Sequence, residues 1–194
     1  MVAIVAVVGV LAMLTVGVLK GAVAKAQSVK CVNNLRQLGG AAIQYATEHS
    51  GDLPPAYMPT SGTDSKVFYR LLNPYLAALS EDEPDLSKYP KVYRCPADAA
   101  PFLGGVASYA ANQSLATGSG ARTSSGNIFN PEIPRSQVIL FIDASRASLR
   151  PGWGGAYEKP AFRHSGVCNA VMMDGSAIQT FKESSSDLAK SWGL

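Results

Sequence analysis

The chain has 194 residues, a net charge of +3 and a charged fraction of 16%, which is low beside the roughly 25% of an average soluble domain. Once a long N-terminal helix is set aside, the remainder is long enough for one compact domain and too short for two. Lysine and arginine form no patch or stripe along the sequence, which argues against nucleic-acid binding.

The N-terminal segment Met1–Leu19 contains no charged side chain, and an apolar run of about 18 residues or more is a candidate membrane span. No turn follows it. From Lys20 to Ser50, apolar residues recur at steps of three and four, which predicts an amphipathic helix packed on a core. Gly51 and Pro54–Pro55 then predict the end of the helix. The sequence thus predicts one helix with an apolar first half and a polar second half.

Three interpretations of the apolar segment remain open. A cleaved secretory signal would need a basic stretch before it and usually has only about 7–15 apolar residues, whereas an ordinary membrane anchor needs only the hydrophobicity. The third interpretation, which we favour, is a helix that assembles with other helices, because small residues such as Gly9 and Gly17 let helix backbones approach closely. The positions that we assign to this assembly face are Val5, Gly9, Leu11, Leu14 and Gly17.

Further along the chain the signals are more local. The pair Gly39–Gly40 weakens the long helix and is a candidate kink. A shorter helix is predicted from about Asp64 to Leu79, with an interruption at Pro74. Residues 57–63 and 114–130 are rich in glycine, serine, threonine, proline or asparagine, so we predict that they form exposed loops.

The C-terminal region has the pattern of a β-sheet. Val138–Ile142 are all apolar and predict a central strand that is buried on both faces. Asn169–Met173 and Ser176–Phe181 flank Asp174–Gly175, a strong signal for a two-residue hairpin, and we expect a type I′ turn there.

These elements predict an α+β fold in which the long helix packs on a small antiparallel sheet of three to five strands. We divide the chain into the helix at 1–50, of which residues 1–19 are apolar, and a globular head at 51–194. No internal repeat is visible.

Several short sequences occur in an order typical of a known family. They are Cys31-Val-Asn-Asn-Leu-Arg-Gln-Leu-Gly39, Tyr45-Ala46, Gly51-Asp-Leu-Pro-Pro55, Tyr93-Arg-Cys-Pro-Ala-Asp98, Ser108-Tyr109 with Asn112, Val138-Ile-Leu-Phe-Ile-Asp143 and His164-Ser-Gly-Val-Cys-Asn-Ala-Val-Met-Met-Asp174-Gly175. Together they resemble the bacterial type IV pilin-like and type II secretion pseudopilin group. The nearest resemblance is to the subfamily with a prepilin-type N-terminus and a C-terminal H-X9-DG motif.

The resemblance implies a type IV pilin-like fold and a structural role without enzymatic activity. Such a subunit sits in the bacterial inner membrane and is then polymerised through its N-terminal helix, by separate assembly machinery, into a periplasmic or extracellular filament. The family's N-methylated first residue and the glutamate a few residues into the helix have no counterpart in this sequence. We therefore expect the chain to begin about five residues inside the family's mature N-terminus.

The H-X9-DG element could be mistaken for an active site. If the stretch between them is extended, His164 and Asp174 are up to ~33 Å apart at ~3.3 Å per residue, so they form no catalytic dyad, and Asp174–Gly175 is turn chemistry. Arg163 and His164 should instead meet Asp143 at the other end of the strand, and we interpret these three as a structural polar cluster.

Cofactor and catalytic signals are weak. Beside His164 the only histidine is His49, too few for a convincing transition-metal site. A calcium site is possible, with oxygen ligands from Asp143, Asp174 or the loop Glu81–Asp85, although no EF-hand spacing is present. No nucleophile motif or phosphate-binding loop occurs, so we do not expect an enzyme.

Three cysteines allow three possible pairs, and their spacing does not choose among them. We predict a disulfide between Cys31 on the long helix and Cys95 in the Cys-Pro loop, since a bridge there would hold the loop to the helix. The alternative is that all three are reduced. Cys168, at the start of a hydrophobic strand, is predicted to be a packed thiol.

A different class of function also remains open. The chain could be a membrane-anchored or secreted domain that binds a glycan or a cell-surface partner. The loop 114–130 and the aromatic residues Trp153, Tyr157 and Trp192 would then form its binding surface.

Overall fold

The computed structural model describes residues 2–55, 57–58, 66–77, 79–101, 107–112, 115, 127–132, 134–145, 148–149, 160–175 and 178–182. Within these ranges the structure describes only the backbone of residues 2–18, 20, 57–58, 66–67, 148–149 and 178–182.

The first element is the helix α1, Val2–Glu48, which has 47 residues and confirms the prediction of one long helix. It passes Gly39–Gly40 without interruption. The helix ends in residues with left-handed backbone, Ser50 with a φ of 56° and Gly51 with a φ of 91°, and the Gly51 amide donates to the Ala46 carbonyl at 2.7 Å. A glycine in this conformation is a common helix terminator, because it has no Cβ to clash.

Among the described residues, no helix combines the length and the hydrophobicity that a membrane span requires.

The second helix, α2, spans Phe68–Ala77 and runs through Pro74, so the predicted interruption is wrong. Pro74 is exposed and removes one backbone hydrogen bond. Phe68, Leu71 and Leu72 on the same helix are buried, and their packing against the core outweighs that loss.

The strands form two sheets. A two-stranded antiparallel ribbon joins β1, Tyr57–Met58, to β2, Lys66–Val67, so the predicted loop at 57–63 is wrong for its first two residues. The main sheet contains β3 (Tyr109–Asn112), β4 (Ile139–Asp143), β5 (Ser148–Leu149), β6 (Val167–Met172) and β7 (Ile178–Lys182), in the order β5-β3-β4-β6-β7. Its pairs are antiparallel apart from β3 with β5, which is parallel. The predicted α+β class is confirmed.

Strand β4 lies in the centre of this sheet, and all five of its residues are buried. Phe141 packs in the main core together with residues of α1, whereas Ile139 and Ile142 belong to a second apolar cluster. Side chains alternate between the faces of a strand, and the irregularity between Ile139 and Phe141 shifts that alternation by one residue. The two clusters therefore lie on opposite faces, as the uniformly apolar sequence predicts. Leu115 and Ile128 are also buried, so the segment 114–130 is not exposed throughout its length.

Strands β6 and β7 form the predicted hairpin around Asp174–Gly175. The turn type is not the expected one, because among the described non-glycine residues only Ser50 and Ser165 have positive φ, whereas a type I′ turn requires positive φ at both central positions. Gly175, with a φ of 69°, has it and Asp174 does not. Helix α1 lies against this turn, since a Cβ added to Gly175 would be 2.5 Å from Ile43 Cδ1.

Candidate functional site

Four side chains from separate regions of the chain meet between α1 and the end of the sheet. Cys31 comes from α1, Cys95 follows the 3-10 helix Lys91–Tyr93, Asp143 ends β4, and His164 precedes β6. Their sulfur, nitrogen and carboxylate oxygen atoms all lie within 4.8 Å of one another, and all four residues are buried. We call these four residues the buried cluster.

The helical side of the buried cluster is set by the core-facing stripe of α1. Cys31 is the first buried residue of that stripe, which continues through Leu35 and Leu38. Asn34, one turn after Cys31, donates from Nδ2 to the Arg94 carbonyl at 2.9 Å and thereby holds the Cys95 loop against the helix. The Asp98 amide donates to the Cys95 carbonyl at 3.0 Å and closes the turn after Cys95.

The sheet side depends on a tight turn just before β6. The amides of His164 and Val167 bond to each other's carbonyls at 3.1 and 3.4 Å. Ser165 and Gly166 between them have φ angles of 57° and 82°, so the positive φ at both central positions occurs here rather than at Asp174–Gly175. A Ser-Gly pair is a turn signal. Ser165–Gly166 is therefore the local sequence signal for this turn.

The distances within the cluster are short. The Cys31 thiol donates to Asp143 Oδ1 at 3.0 Å, Cys95 Sγ is 3.4 Å from His164 Nε2, and that nitrogen is 3.4 Å from Asp143 Oδ2. The hydrogen bond to Asp143 raises the pKa of His164 to about 9. The contact with the Cys31 side chain lowers the pKa of Cys95 to about 6, whereas the same contact and burial raise the pKa of Cys31.

Arg163 borders the buried cluster and connects it to the rest of the head. Its guanidinium is 2.9 Å from Asp98 Oδ2 and 3.9 Å from Asp143 Oδ1. It also donates to the carbonyls of Ser108 and Ala144, at 3.2 and 2.7 Å. The structure thus places Arg163, His164 and Asp143 together before β6, while Asp174 and Gly175 lie beyond the other end of that strand.

The buried cluster contains a cysteine, a histidine and an aspartate, but not in the arrangement of a catalytic triad. A triad histidine uses one ring nitrogen for the nucleophile and the other for the carboxylate. His164 presents the same atom, Nε2, to both Cys95 and Asp143. With four buried donor atoms facing one another, the cluster has the chemistry of a metal ligand set, and it could hold a metal ion.

The two histidines of the sequence do not by themselves predict a transition-metal site. The structure completes the set with two cysteines and Asp143, which were brought together by tertiary packing. The signal that was available is Cys95 in a Cys-Pro turn together with an inward-facing cysteine on α1. Cys31 and Cys95 are free thiols in the structure, and the disulfide between them stays a prediction. The oxygen ligands suggested for calcium do not come together. Asp143 lies in the buried cluster, Asp174 lies beyond the far end of β6, and the loop Glu81–Asp85 is mostly exposed.

A second feature is the segment of α1 that precedes the head. From Leu19 to Lys30 every described side chain is exposed or half-buried, and full burial begins only at Cys31. Leu19, Val23 and Val29 are 61%, 56% and 54% exposed. The assembly positions Val5, Gly9, Leu11, Leu14 and Gly17 lie outside the described side chains, as do Trp153, Tyr157 and Trp192. We call residues 19–30 the stem.

No protein-family model, curated protein or solved structure matches this chain.

Proposed function

We propose that this chain is a structural subunit of a type IV pilus-like or type II secretion pseudopilus filament, with a type IV pilin-like fold. Before assembly it would be held in the bacterial inner membrane, and in the periplasmic or extracellular filament its N-terminal helix would pack against the helices of other copies. Separate assembly machinery would drive the transfer, so the subunit itself needs no catalytic residue.

The observation that carries this proposal is the exposure of large apolar side chains, Leu19, Val23 and Val29, on the stem. A helix exposed in a monomer normally turns a polar face to water, yet Leu19 and Val23, one turn apart, are both more than half exposed. The occupant that we favour is the same helix of another copy, because the sequence on its N-terminal side is apolar and rich in small residues, which suits close helix packing. Each subunit would use one surface to contact the next and another to receive it, which gives an open helical filament.

Substitution of the stem tests the proposal. Val23→Glu places a charge on the stem surface that would pack against another copy, and we expect it to abolish or greatly reduce filaments, because an unpaired buried charge is strongly unfavourable. Gln44→Glu makes the same change of charge at an exposed position of α1 outside the stem and should leave assembly intact. The full chain would be purified in detergent and transferred to detergent-free buffer, and its assembly followed by sedimentation and electron microscopy.

Two results would count against a filament subunit. One is a wild-type chain that remains monomeric under conditions in which its head is folded. The other is an equal yield of filaments from wild type and from Val23→Glu. Circular dichroism of both variants is the check that a loss of filaments does not reflect a loss of folding.

A further inference from the structure

We propose that Cys31, Cys95, Asp143 and His164 bind one zinc ion, which fastens α1 to the head. This site does not depend on the proposed filament function. It would exist in the monomer, and it concerns how the subunit is held together rather than what it assembles into.

The geometry of the donors is the first argument. Tetrahedral zinc, with Zn–S near 2.3 Å and Zn–N or Zn–O near 2.0–2.2 Å, separates its ligand atoms by about 3.3–3.8 Å. The Cys95 Sγ–His164 Nε2 distance and the His164 Nε2–Asp143 Oδ2 distance are both 3.4 Å. Cys31 is closer to Asp143, at 3.0 Å, because its thiol donates a hydrogen bond that the ion would replace.

The chemistry of the donors is the second argument. Two sulfur atoms and one imidazole nitrogen suit a borderline-soft cation such as zinc, whereas calcium and magnesium prefer sets made of oxygen alone. Four protein ligands that are all buried leave no open position, which is the pattern of a structural site rather than a catalytic one.

Protonation and charge are compatible with such a site. Zinc needs both cysteines as thiolates and histidine as neutral imidazole. Binding would therefore release the thiol proton that Cys31 donates to Asp143. Two thiolates and one carboxylate leave the loaded site with one excess negative charge. Arg163, 3.9 Å from Asp143 Oδ1, lies where it can offset that charge. The Asn169 amide donates to Asp143 Oδ2 at 2.9 Å and orients the carboxylate.

The position of the site explains what the ion would do. Cys31 and Asp143 are 112 residues apart in sequence, and Cys95 and His164 are 69 apart. An ion bound by all four would cross-link α1, the Cys95 loop, the end of β4 and the turn before β6. It would act at the point where α1 leaves the head, and would take the place of a disulfide between Cys31 and Cys95.

The direct test is the metal content of the full chain, purified with a reductant and without chelator. We expect one zinc ion per chain. Cobalt in its place should show the visible bands of tetrahedral coordination and thiolate-to-cobalt charge transfer.

Cys95→Ser should weaken zinc binding by roughly 100-fold or more, beyond the effect of removing a residue that only orients a ligand. Cys168→Ser is the matched control, since Cys168 is equally buried but lies outside the buried cluster, and it should keep its zinc.

Because Cys95→Ser could fail to fold, two further measurements are needed. His164→Cys replaces one zinc ligand by another and should retain the ion, whereas His164→Gln should lose it. In wild type, removal of the ion by a chelator should lower the melting temperature, and added zinc should restore it.

Three results would overturn the zinc site. The first is a reduced, folded wild-type chain that binds no zinc when zinc is supplied. The second is a Cys31–Cys95 disulfide in the chain isolated without reductant, together with no metal. The third is stabilisation by calcium but not by zinc. None of these bears on whether the chain forms filaments.

Discussion

At the scale of single residues, two adjacent glycines of α1 have opposite environments. A Cβ on Gly39 would lie 2.9 Å from Val171 Cγ2 of β6, whereas a Cβ on Gly40 would meet nothing within 4 Å. The pair predicts a weak point or a kink when only helix propensity is considered. In the folded chain, Gly39 instead allows α1 to lie close to the sheet, and Gly40 has no such role.

This difference predicts opposite effects of the same substitution. Gly40→Ala should raise the free energy of unfolding by about 0.5–1 kcal/mol, because alanine loses less backbone entropy on forming a helix. Gly39→Ala should lower it by about 1–3 kcal/mol, because the new methyl group forces α1 and β6 apart. Urea denaturation of the two variants beside wild type measures both values. Equal stabilisation by both would show that α1 is not packed on β6 as described.

At the scale of elements, the regular structure followed from local patterns, and its packing partners did not. The 47-residue helix and the buried strand β4 were predictable because periodicity reports which face of an element is apolar. The predicted helix interruption at Pro74 and the predicted loop at the two residues of β1 are wrong, because tertiary packing outweighs a local preference of a few kcal/mol. Nothing local indicated that Tyr93, in a short 3-10 helix, would hold α2.

The contact of Tyr93 with α2 gives a prediction at this scale. Its hydroxyl donates to the Tyr69 carbonyl at 2.7 Å and lies 3.1 Å from Asn73 Oδ1, within the core. Tyr93→Phe should destabilise the chain by about 1–3 kcal/mol, because it leaves buried acceptors without a donor.

Tyr75→Phe is the control for this substitution. The Tyr75 hydroxyl also donates a hydrogen bond, to Glu48 at 2.8 Å, but at an exposed position, so water can replace it and the cost should stay below about 0.5 kcal/mol. Thermal denaturation of the two variants compares them. Equal destabilisation would contradict the buried role of the Tyr93 hydroxyl.

At the scale of the whole molecule, the head is held together by polar groups at one end of the sheet. Arg163 contacts the carboxylate of Asp98 and the carbonyls of Ser108 and Ala144. It therefore joins the Cys95 loop, the start of β3 and the end of β4 through one side chain. Asp98 is buried and its carboxylate is 2.9 Å from the guanidinium, so it depends on this cation.

Arg163→Met should accordingly be among the more damaging single substitutions, at about 3–5 kcal/mol, because it leaves the buried carboxylate of Asp98 without its cation. Arg36→Met removes an exposed arginine from α1 and should change stability by less than about 0.5 kcal/mol. Chemical denaturation with a reductant measures both. If Arg163→Met were as stable as Arg36→Met, the ion pairs at this end of the sheet would not be structural.

The sequence by itself determined the α+β class, the long helix, the central buried strand and the β6–β7 hairpin, because each depends on residues close together in the chain. It also carried the resemblance that motivates the filament proposal. Only the tertiary structure decided that Cys31 and Cys95 share a site with Asp143 and His164. Those residues are brought together by the packing of α1 on the sheet and by the turn at Ser165–Gly166. Such distances depend on the whole core, and no local pattern in the sequence records them.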